Sequence, residues 1–180
     1  GTYIMNSRDM CMIDHLDDLM DLDSLKIEGR AKSAYYAAMT AAAYRHGVDA
    51  AAEGRPLDPV WRAEVDKVSH RHYSTGFWFG QPGQYTDSAR YVRDWQVLAV
   101  VESCDGLGNA RLSLRNKFAA GDEIEVVGPG VPAFPMSAPM MRDVDGFELR
   151  EPRNPRMEFY MRLPRPAPPL SIVRACRPSS

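Results

Sequence analysis

Small or apolar residues alternate with charged residues along the stretch 25–30, and this period of two predicts a β-strand. The three charged residues, Lys26, Glu28 and Arg30, share one face of that strand. The opposite face, which includes Leu25, is expected to pack against helices. A structure with Leu25 and Glu28 in the same cavity would contradict this assignment.

The stretch 31–53 is rich in alanine and predicts a long helix directly after this strand. A short apolar run at 2–5 predicts an earlier strand, and apolar residues at helical spacing in 12–20 predict a helix after it. Asn6 or Ser7 is expected to cap that helix. Strand–helix–strand–helix order over so short a stretch indicates parallel strands, as in βα units.

After the long predicted helix, the pattern of apolar and polar residues changes. A short helix is predicted after Asp58, which caps it, with Pro59 at its first position. The stretch 70–83 is rich in aromatic residues and glycine without a clear period, which favours an ordered linker. From Tyr91 onward, short apolar runs broken by Gly, Asp and Pro predict a small antiparallel β-barrel. Its predicted strands are 97–101, 110–114, 123–127, 138–142, 146–150, 157–163 and 171–176.

Composition narrows the possible functions. The chain has 180 residues, 44% of them hydrophobic, which is enough for a packed core. The formal net charge is −2, so any contact with nucleic acid must come from a local basic patch. No apolar run is long enough to span a membrane, and no signal peptide is apparent. The three cysteines are widely spaced, which argues against a disulfide framework and favours the reducing cytoplasm.

Five stretches, in the same order, resemble the peptidase U32 family of collagenase-like proteins. They are YIMNSRD at 3–9, SLKIEGR and KSAYY within 24–36, YR at 44–45, HRHYSTGF at 70–77 and RNKFAAGD at 115–122. The resemblance is greatest to the branch linked to hydroxylation of tRNA and rRNA. Five stretches in a fixed order are far more specific than any one of them alone.

This resemblance implies that the chain is the carboxyl-terminal part of a longer protein, an expectation that also fits its start at Gly1 inside a strand-like run. Residues 1–53 would form the last two βα units of a (β/α) barrel, whose upstream part belongs to the same protein. Residues 54–90 would form a helical and aromatic linker. Residues 91–180 would form the small antiparallel β-barrel of the U32 carboxyl-terminal domain.

The same resemblance implies a part in tRNA modification. The implied reaction is 5-hydroxylation of the wobble uridine, in a prephenate-linked and iron–sulfur-dependent pathway in the cytoplasm. The implied partner is tRNA or rRNA, with no membrane partner. Two alternatives stay open, a collagenase-like peptidase and a non-catalytic module that binds RNA or protein. The sequence has no Ser-His-Asp signature and no HExxH motif that would support peptidase chemistry.

Lys26, Glu28 and Arg30 are the candidate catalytic residues. Charges at the carboxyl end of a barrel strand can bind an anionic substrate, and the Arg30 guanidinium suits a carboxylate or a phosphate. An internal ion pair that neutralises itself inside a barrel is an equal alternative.

Cys11 is the candidate metal ligand. It follows a predicted helix start, where a thiolate is favoured, although a small core residue is the simpler interpretation. The resemblance implies that Cys11 is one of four ligands of a [4Fe–4S] cluster in the full-length protein. Cys104 and Cys176 do not match that pattern, so no cluster is expected in this part of the protein alone.

Two basic groups are candidate RNA-binding surfaces. Arg71 and His72 stand beside a run of aromatic residues, a combination that suits RNA, although packing between domains explains it equally well. Arg111, Arg115 and Lys117 lie near the first predicted hairpin of the barrel. There they suit phosphate contacts, or they protect a sheet edge from pairing.

Overall fold

The computed structural model describes residues 6–83 and 90–178, so the strand predicted at 2–5 lies outside the described residues. The chain forms two compact units, and the boundary between them lies between Asp94 and Trp95. We call them the first and the second unit. The finer division at residues 53 and 90 stays a prediction.

The first unit begins with a two-residue strand, β1 (Asp9–Met10), that pairs in parallel with β2 (Tyr73–Ser74). Two short 3₁₀ helices follow β1, at Ile13–His15 and Asp17–Leu19. The single helix predicted over 12–20 is therefore wrong in type, because neither turn begins with a side-chain cap. Most apolar residues of the stretch 12–20 are nevertheless buried. Together with residues of two later helices they form the core of the first unit. Those core residues are Met12, Ile13, Leu16, Leu19, Ala43 and Val65.

The long helix α1 (Ala34–Ala52) confirms the helix predicted from the alanine-rich stretch. It begins at Ser33, whose Oγ accepts a hydrogen bond of 3.2 Å from the Tyr36 backbone N–H. Gly47 allows the neighbouring segment to approach closely, because a methyl group there would collide with the Leu16 side chain. This helix is the element on which the first unit packs.

The strand predicted over 25–30 is wrong, because this stretch has no regular secondary structure. Among residues 6–83 and 90–178, no neighbouring strand supplies the hydrogen bonds that a strand needs. Leu25 and Ile27 are each 39% exposed and do not form a buried face. Within the described residues the two predicted βα units do not form, so the predicted end of a (β/α) barrel is not confirmed.

A short helix, α2 (Pro59–Arg62), continues as a 3₁₀ turn at Ala63–Asp66. The predicted cap is confirmed, since Asp58 Oδ1 accepts a hydrogen bond of 2.9 Å from the Val60 backbone N–H. No helix among the described residues is long and apolar enough to cross a membrane.

The second unit is one antiparallel sheet of eight strands, in the order β6-β5-β10-β3-β4-β9-β7-β8. The strands are β3 (Trp95–Cys104), β4 (Asn109–Leu114), β5 (Glu123–Gly128), β6 (Val131–Ser137), β7 (Met141–Arg142), β8 (Glu148–Leu149), β9 (Glu158–Arg162) and β10 (Ile172–Cys176). The prediction of short antiparallel strands is confirmed. The prediction of a barrel is wrong for the described residues, because the terminal strands β6 and β8 do not pair and the sheet stays open.

The strand predicted at 138–142 is largely misplaced. The chain forms β6 at Val131–Ser137 instead, and only the two residues of β7 fall in the predicted range. Two prolines, Pro132 and Pro135, lie within β6, although proline has no backbone N–H to donate to a neighbouring strand. They are tolerated because β6 is an edge strand, where a missing backbone N–H leaves no neighbour unpaired.

A buried arginine lies at the centre of this sheet. Arg174 of β10 is fully buried, and its Nη2 lies 2.8 Å from Glu125 Oε2 on the adjacent β5. Its guanidinium carbon also lies 4.9 Å from the centre of the Trp95 ring. The pair neutralises itself and therefore serves the packing of the sheet.

Candidate functional site

A cavity of about 600 Å³ lies in the first unit. One wall is helix α1, which contributes Tyr36, Thr40 and Tyr44. These residues are spaced by four, so the helix presents them on one face. The opposite wall comes from the segment around β1 and from the irregular stretch before α1. Its residues include Arg8, Asp9, Cys11, Lys26, Glu28 and Lys32.

Tyr44 connects the two walls of this cavity. Its Oη lies 3.7 Å from Cys11 Sγ, to which it donates a hydrogen bond, and it accepts a bond of 2.9 Å from the Met12 backbone N–H. Burial raises the pKa of the Tyr44 phenol, and negative charge on Cys11 raises it further. The phenol therefore stays protonated near neutral pH and remains a hydrogen-bond donor to the Cys11 sulfur.

Two further phenols share this environment. Burial raises the pKa of Tyr36, with the Asp9 carboxylate as the next cause. Burial also raises the pKa of Tyr73, whose hydroxyl donates a 2.5 Å hydrogen bond to the Val65 carbonyl oxygen. Both groups are neutral at physiological pH, so the negative charges of the cavity come from its carboxylates and from any thiolate at Cys11.

Thr40 adds an unused hydrogen-bonding group. The residue is buried, and its Oγ1 makes no hydrogen bond of standard geometry in the part of the chain that the structure describes, although it lies near enough to the Tyr36 phenol to offset part of the burial-driven rise in the pKa of that group. A buried hydroxyl without a partner is unfavourable, and a polar ligand or a water molecule would satisfy it. The cavity thus combines neutral donors, a thiol and cationic side chains.

Two of the three candidate catalytic residues, Lys26 and Glu28, line this cavity. Leu25 and Glu28 both line it, so the assignment of these residues to opposite faces is wrong. Lys26 Nζ lies 3.9 Å from Glu28 Oε2, and both side chains are largely exposed. Within the described residues this pair is not buried, and an ion pair that neutralises itself inside a barrel stays a prediction. Glu28 Oε1 accepts a 3.1 Å hydrogen bond from the Arg30 backbone N–H, and a catalytic role for these three residues stays a prediction.

The predicted group of basic and aromatic residues near residue 71 is only partly accessible to a ligand such as RNA. His70 is buried and stacks on Tyr73 with 4.2 Å between ring centres. His72 is exposed, and Arg71 is half-buried with its guanidinium carbon 4.8 Å from the centre of the Tyr91 ring. Tyr91 was not among the predicted binding residues.

The other basic group lies in the second unit. Arg111 of β4 forms an ion pair of 3.3 Å with Glu158 of β9. Arg115 donates to the Ser113 hydroxyl at 2.5 Å and to the Leu114 carbonyl oxygen at 3.1 Å. Arg115 and Lys117 are exposed just after β4, so RNA binding by these two residues stays a prediction.

The described residues do not make a metal site by themselves. In residues 6–83 and 90–178, no three His, Cys, Asp or Glu side chains group in a way that would hold a metal ion. Cys11 is half-buried and is the one cysteine of the described cavity lining, whereas Cys104 and Cys176 belong to the second unit. One thiol does not supply the ligands of an iron–sulfur cluster.

Sequence comparison relates this chain to known proteins. The model of peptidase family U32 matches residues 1–88, and the model of the peptidase family U32 C-terminal domain matches residues 93–174. The first match contains every described residue of the cavity lining.

Three relatives illustrate the range of proteins to which this chain is similar. The tRNA hydroxylation protein P of Escherichia coli is 38% identical over 72% of this chain and 30% of its own length. The tRNA hydroxylation protein P1 of Bacillus subtilis is 30% identical over 96% of this chain and 43% of its length. An uncharacterized protease of Methanocaldococcus jannaschii is 33% identical over 71% of this chain and 34% of its length. The chain thus spans less than half the length of each of these relatives.

Proposed function

Because this chain belongs to peptidase family U32, we propose that it is the carboxyl-terminal part of a protein that takes part in tRNA hydroxylation. The observation that carries this proposal is the cavity of the first unit, all of whose described lining falls within the U32 match. Relatives from two bacteria that are named for tRNA hydroxylation support it.

The finer proposal is 5-hydroxylation of the wobble uridine, linked to prephenate and dependent on an iron–sulfur cluster in the full-length protein. Arg8, Lys26 and Lys32 line the cavity and suit a small dicarboxylate such as prephenate, because cationic donors form strong hydrogen bonds with carboxylates. Cys11 would supply one thiolate ligand, and cysteines of the full-length protein upstream of this chain would supply the other three. The cytoplasm, where tRNA is modified, is the proposed location.

This chain's own residues would bind and orient the reactants. The Tyr44 hydroxyl helps to hold the Cys11 sulfur in the wall, and the buried Thr40 hydroxyl offers one polar contact inside the cavity. The neutral phenols keep the cavity partly apolar, which strengthens the attraction between the cationic side chains and an anionic ligand.

A U32 peptidase is the second candidate function, and the similarity to an archaeal protease favours it. A cysteine nucleophile needs a base such as histidine within hydrogen-bond reach. The described lining of the cavity contains Cys11 but no histidine. His46 and His70, which lie elsewhere in the first unit, stack on Trp61 and Tyr73. The described lining therefore does not supply the base that a cysteine peptidase would need.

Deleting the gene for the full-length protein tests this proposal. We expect 5-hydroxyuridine derivatives to disappear from digested tRNA in the deletion strain, and to return when the full-length gene is supplied on a plasmid. Mass spectrometry of the nucleosides measures both changes. Unchanged 5-hydroxyuridine derivatives in the deletion strain, together with cleavage of collagen by the purified protein, would support the peptidase instead.

A further inference from the structure

Three cationic side chains surround the ring of Tyr91 in the first unit. Lys32 Nζ lies 4.2 Å from the ring centre, and the guanidinium carbons of Arg71 and Arg93 lie 4.8 Å and 5.2 Å from it. We call these four residues the Tyr91 cluster. An aromatic ring attracts cations to its faces, so Tyr91 holds together charges that would otherwise repel one another.

Backbone pairing brings the cluster together. His70 and Val92 form an isolated antiparallel bridge, with N···O distances of 3.3 Å and 2.8 Å. In that register Arg71 lies opposite Tyr91, and Ser69 lies opposite Arg93. The Arg93 Nε accordingly donates to Ser69 Oγ at 3.2 Å.

Helix α1 brings the third cation to the same place. Lys32 precedes the helix cap, and its Nζ donates to the Ser69 carbonyl oxygen at 3.0 Å. The first turn of α1 contains no acidic residue, so the partial positive charge of the helix start is not offset there.

The cluster keeps an excess of positive charge. Among the described residues, Asp9 is the carboxylate in contact with these cations. Its Oδ2 lies 3.6 Å from Lys32 Nζ and accepts a 3.0 Å hydrogen bond from the Arg71 backbone N–H. Three cations against one carboxylate leave a net charge of about +2, which favours an anionic ligand.

We propose that the Tyr91 cluster binds a backbone phosphate of the RNA substrate. Guanidinium and ammonium donors together suit phosphate oxygens, and cations already cover the Tyr91 ring, so the ligand is a phosphate and not a stacked base. Lys32 belongs both to this cluster and to the lining of the cavity. A phosphate held there would place the attached nucleotide at the cavity. This inference rests on the proposed action on tRNA.

Binding of unmodified tRNA transcript to the full-length protein, measured over a series of salt concentrations, tests the inference. Arg71→Gln with Arg93→Gln should weaken binding and flatten the log–log salt dependence by about one unit, the value for one lost phosphate contact. Tyr91→Leu should act in the same direction, whereas Tyr91→Phe keeps the ring and should leave binding unchanged.

Arg55→Gln is the matched control. It removes one exposed cation from the same unit, and that cation pairs with Glu53. Circular dichroism verifies the fold of each variant. If the double variant does not fold, Arg93→Gln alone replaces it, because that side chain is exposed.

The inference is overturned if the cluster variants keep the wild-type slope and affinity, if Arg55→Gln changes binding as much as they do, or if the wild-type protein does not bind tRNA. Failure of the proposed function appears separately, as unchanged 5-hydroxyuridine derivatives in the deletion strain. Salt-dependent binding that needs the cluster would then still identify an RNA-binding site.

Discussion

Tyr44 shows how a single residue organises the candidate site. One phenol oxygen contacts both the Cys11 sulfur and the Met12 backbone N–H, which are 33 and 32 residues away in the chain. The contact helps to fix the thiol in the cavity wall, together with the hydrogen bond of 2.9 Å that the Cys11 backbone N–H donates to the Ser74 carbonyl oxygen. Tyr44 is therefore expected to be a positioning residue for Cys11.

The three buried phenols predict a loss of stability at alkaline pH. Tyr36, Tyr44 and Tyr73 have pKa values above the ordinary 10.0 in the folded chain, chiefly because of burial. Above pH 10 the unfolded chain releases protons that the folded chain retains, so the free energy of unfolding falls as the pH rises. Below pH 10 this contribution to stability is fully present.

Urea unfolding at pH 9 and at pH 11 measures this effect on the free energy of unfolding. The fall should be smaller in Tyr44→Phe, which has one such phenol fewer. Absorbance at 295 nm should show tyrosines that ionise only when the protein unfolds. The account fails at this point if every tyrosine titrates near pH 10 in the folded protein.

Some of these residues could be predicted from the sequence and others could not. Cys11 lies in the cavity wall, and its role as a metal ligand stays a prediction. The spacing of Tyr36, Thr40 and Tyr44 by four on a predicted helix is a sequence signal that places these three side chains on one face. Nothing in the sequence indicates that Lys32 and Tyr91 meet, because an isolated backbone bridge between distant segments brings them together.

At the scale of elements, local signals predicted helix α1 well and the neighbouring strand badly. Helix α1 depends on its own alanines and on the cap at Ser33, and both can be seen in the sequence. The alternation in 25–30 is equally local, but a strand also depends on a partner, which the described residues do not provide. The charges of that stretch consequently lie on an irregular segment, and two of them, Lys26 and Glu28, line the cavity.

The hairpin between β3 and β4 depends on one glycine. Gly108 has a φ of +86°, and a methyl group there would collide with the Leu163 carbonyl oxygen. The Leu163 backbone N–H in turn donates a hydrogen bond of 2.8 Å to the Gly108 carbonyl oxygen. Asp105 reinforces the turn through hydrogen bonds with Asn109, and these bonds lower the pKa of the Asp105 carboxyl.

Gly108→Ala should lower the free energy of unfolding by about 1–3 kcal/mol, since the new side chain would be strained by both the backbone angle and the collision. Gly106→Ala in the same turn is the control, because that position is open and its φ is not positive. Chemical denaturation of both variants gives the comparison. Equal stability of the two variants would show that the turn is not constrained at Gly108.

At the scale of the whole molecule, the two units have separate cores. One core lies around the 3₁₀ turns and helix α1, and the other lies within the eight-stranded sheet. The first family match, at residues 1–88, lies within the first unit, and the second, at residues 93–174, begins two residues before the second unit starts at Trp95. The change of pattern near Tyr91 predicted a new antiparallel part. Whether this sheet closes into a barrel could not be predicted from the sequence. Closure requires the two terminal strands of the sheet to pair with each other, and the sequence pattern does not show which strands are terminal.

The central claim is that the cavity of the first unit is the place where the full-length protein takes part in tRNA hydroxylation. The most direct test is complementation of the deletion strain with cysteine variants of the full-length gene, followed by mass spectrometry of tRNA nucleosides. Cys104→Ser is the matched control, because that cysteine lies in the second unit.

The account predicts that Cys104→Ser restores 5-hydroxyuridine derivatives to the wild-type level and that Cys11→Ser does not, with both variants present at equal amounts in the cell. Tyr44→Phe should restore an intermediate level, because the Cys11 thiol is retained but loses the hydrogen bond that helps to position it. Full restoration by Cys11→Ser would contradict the claim.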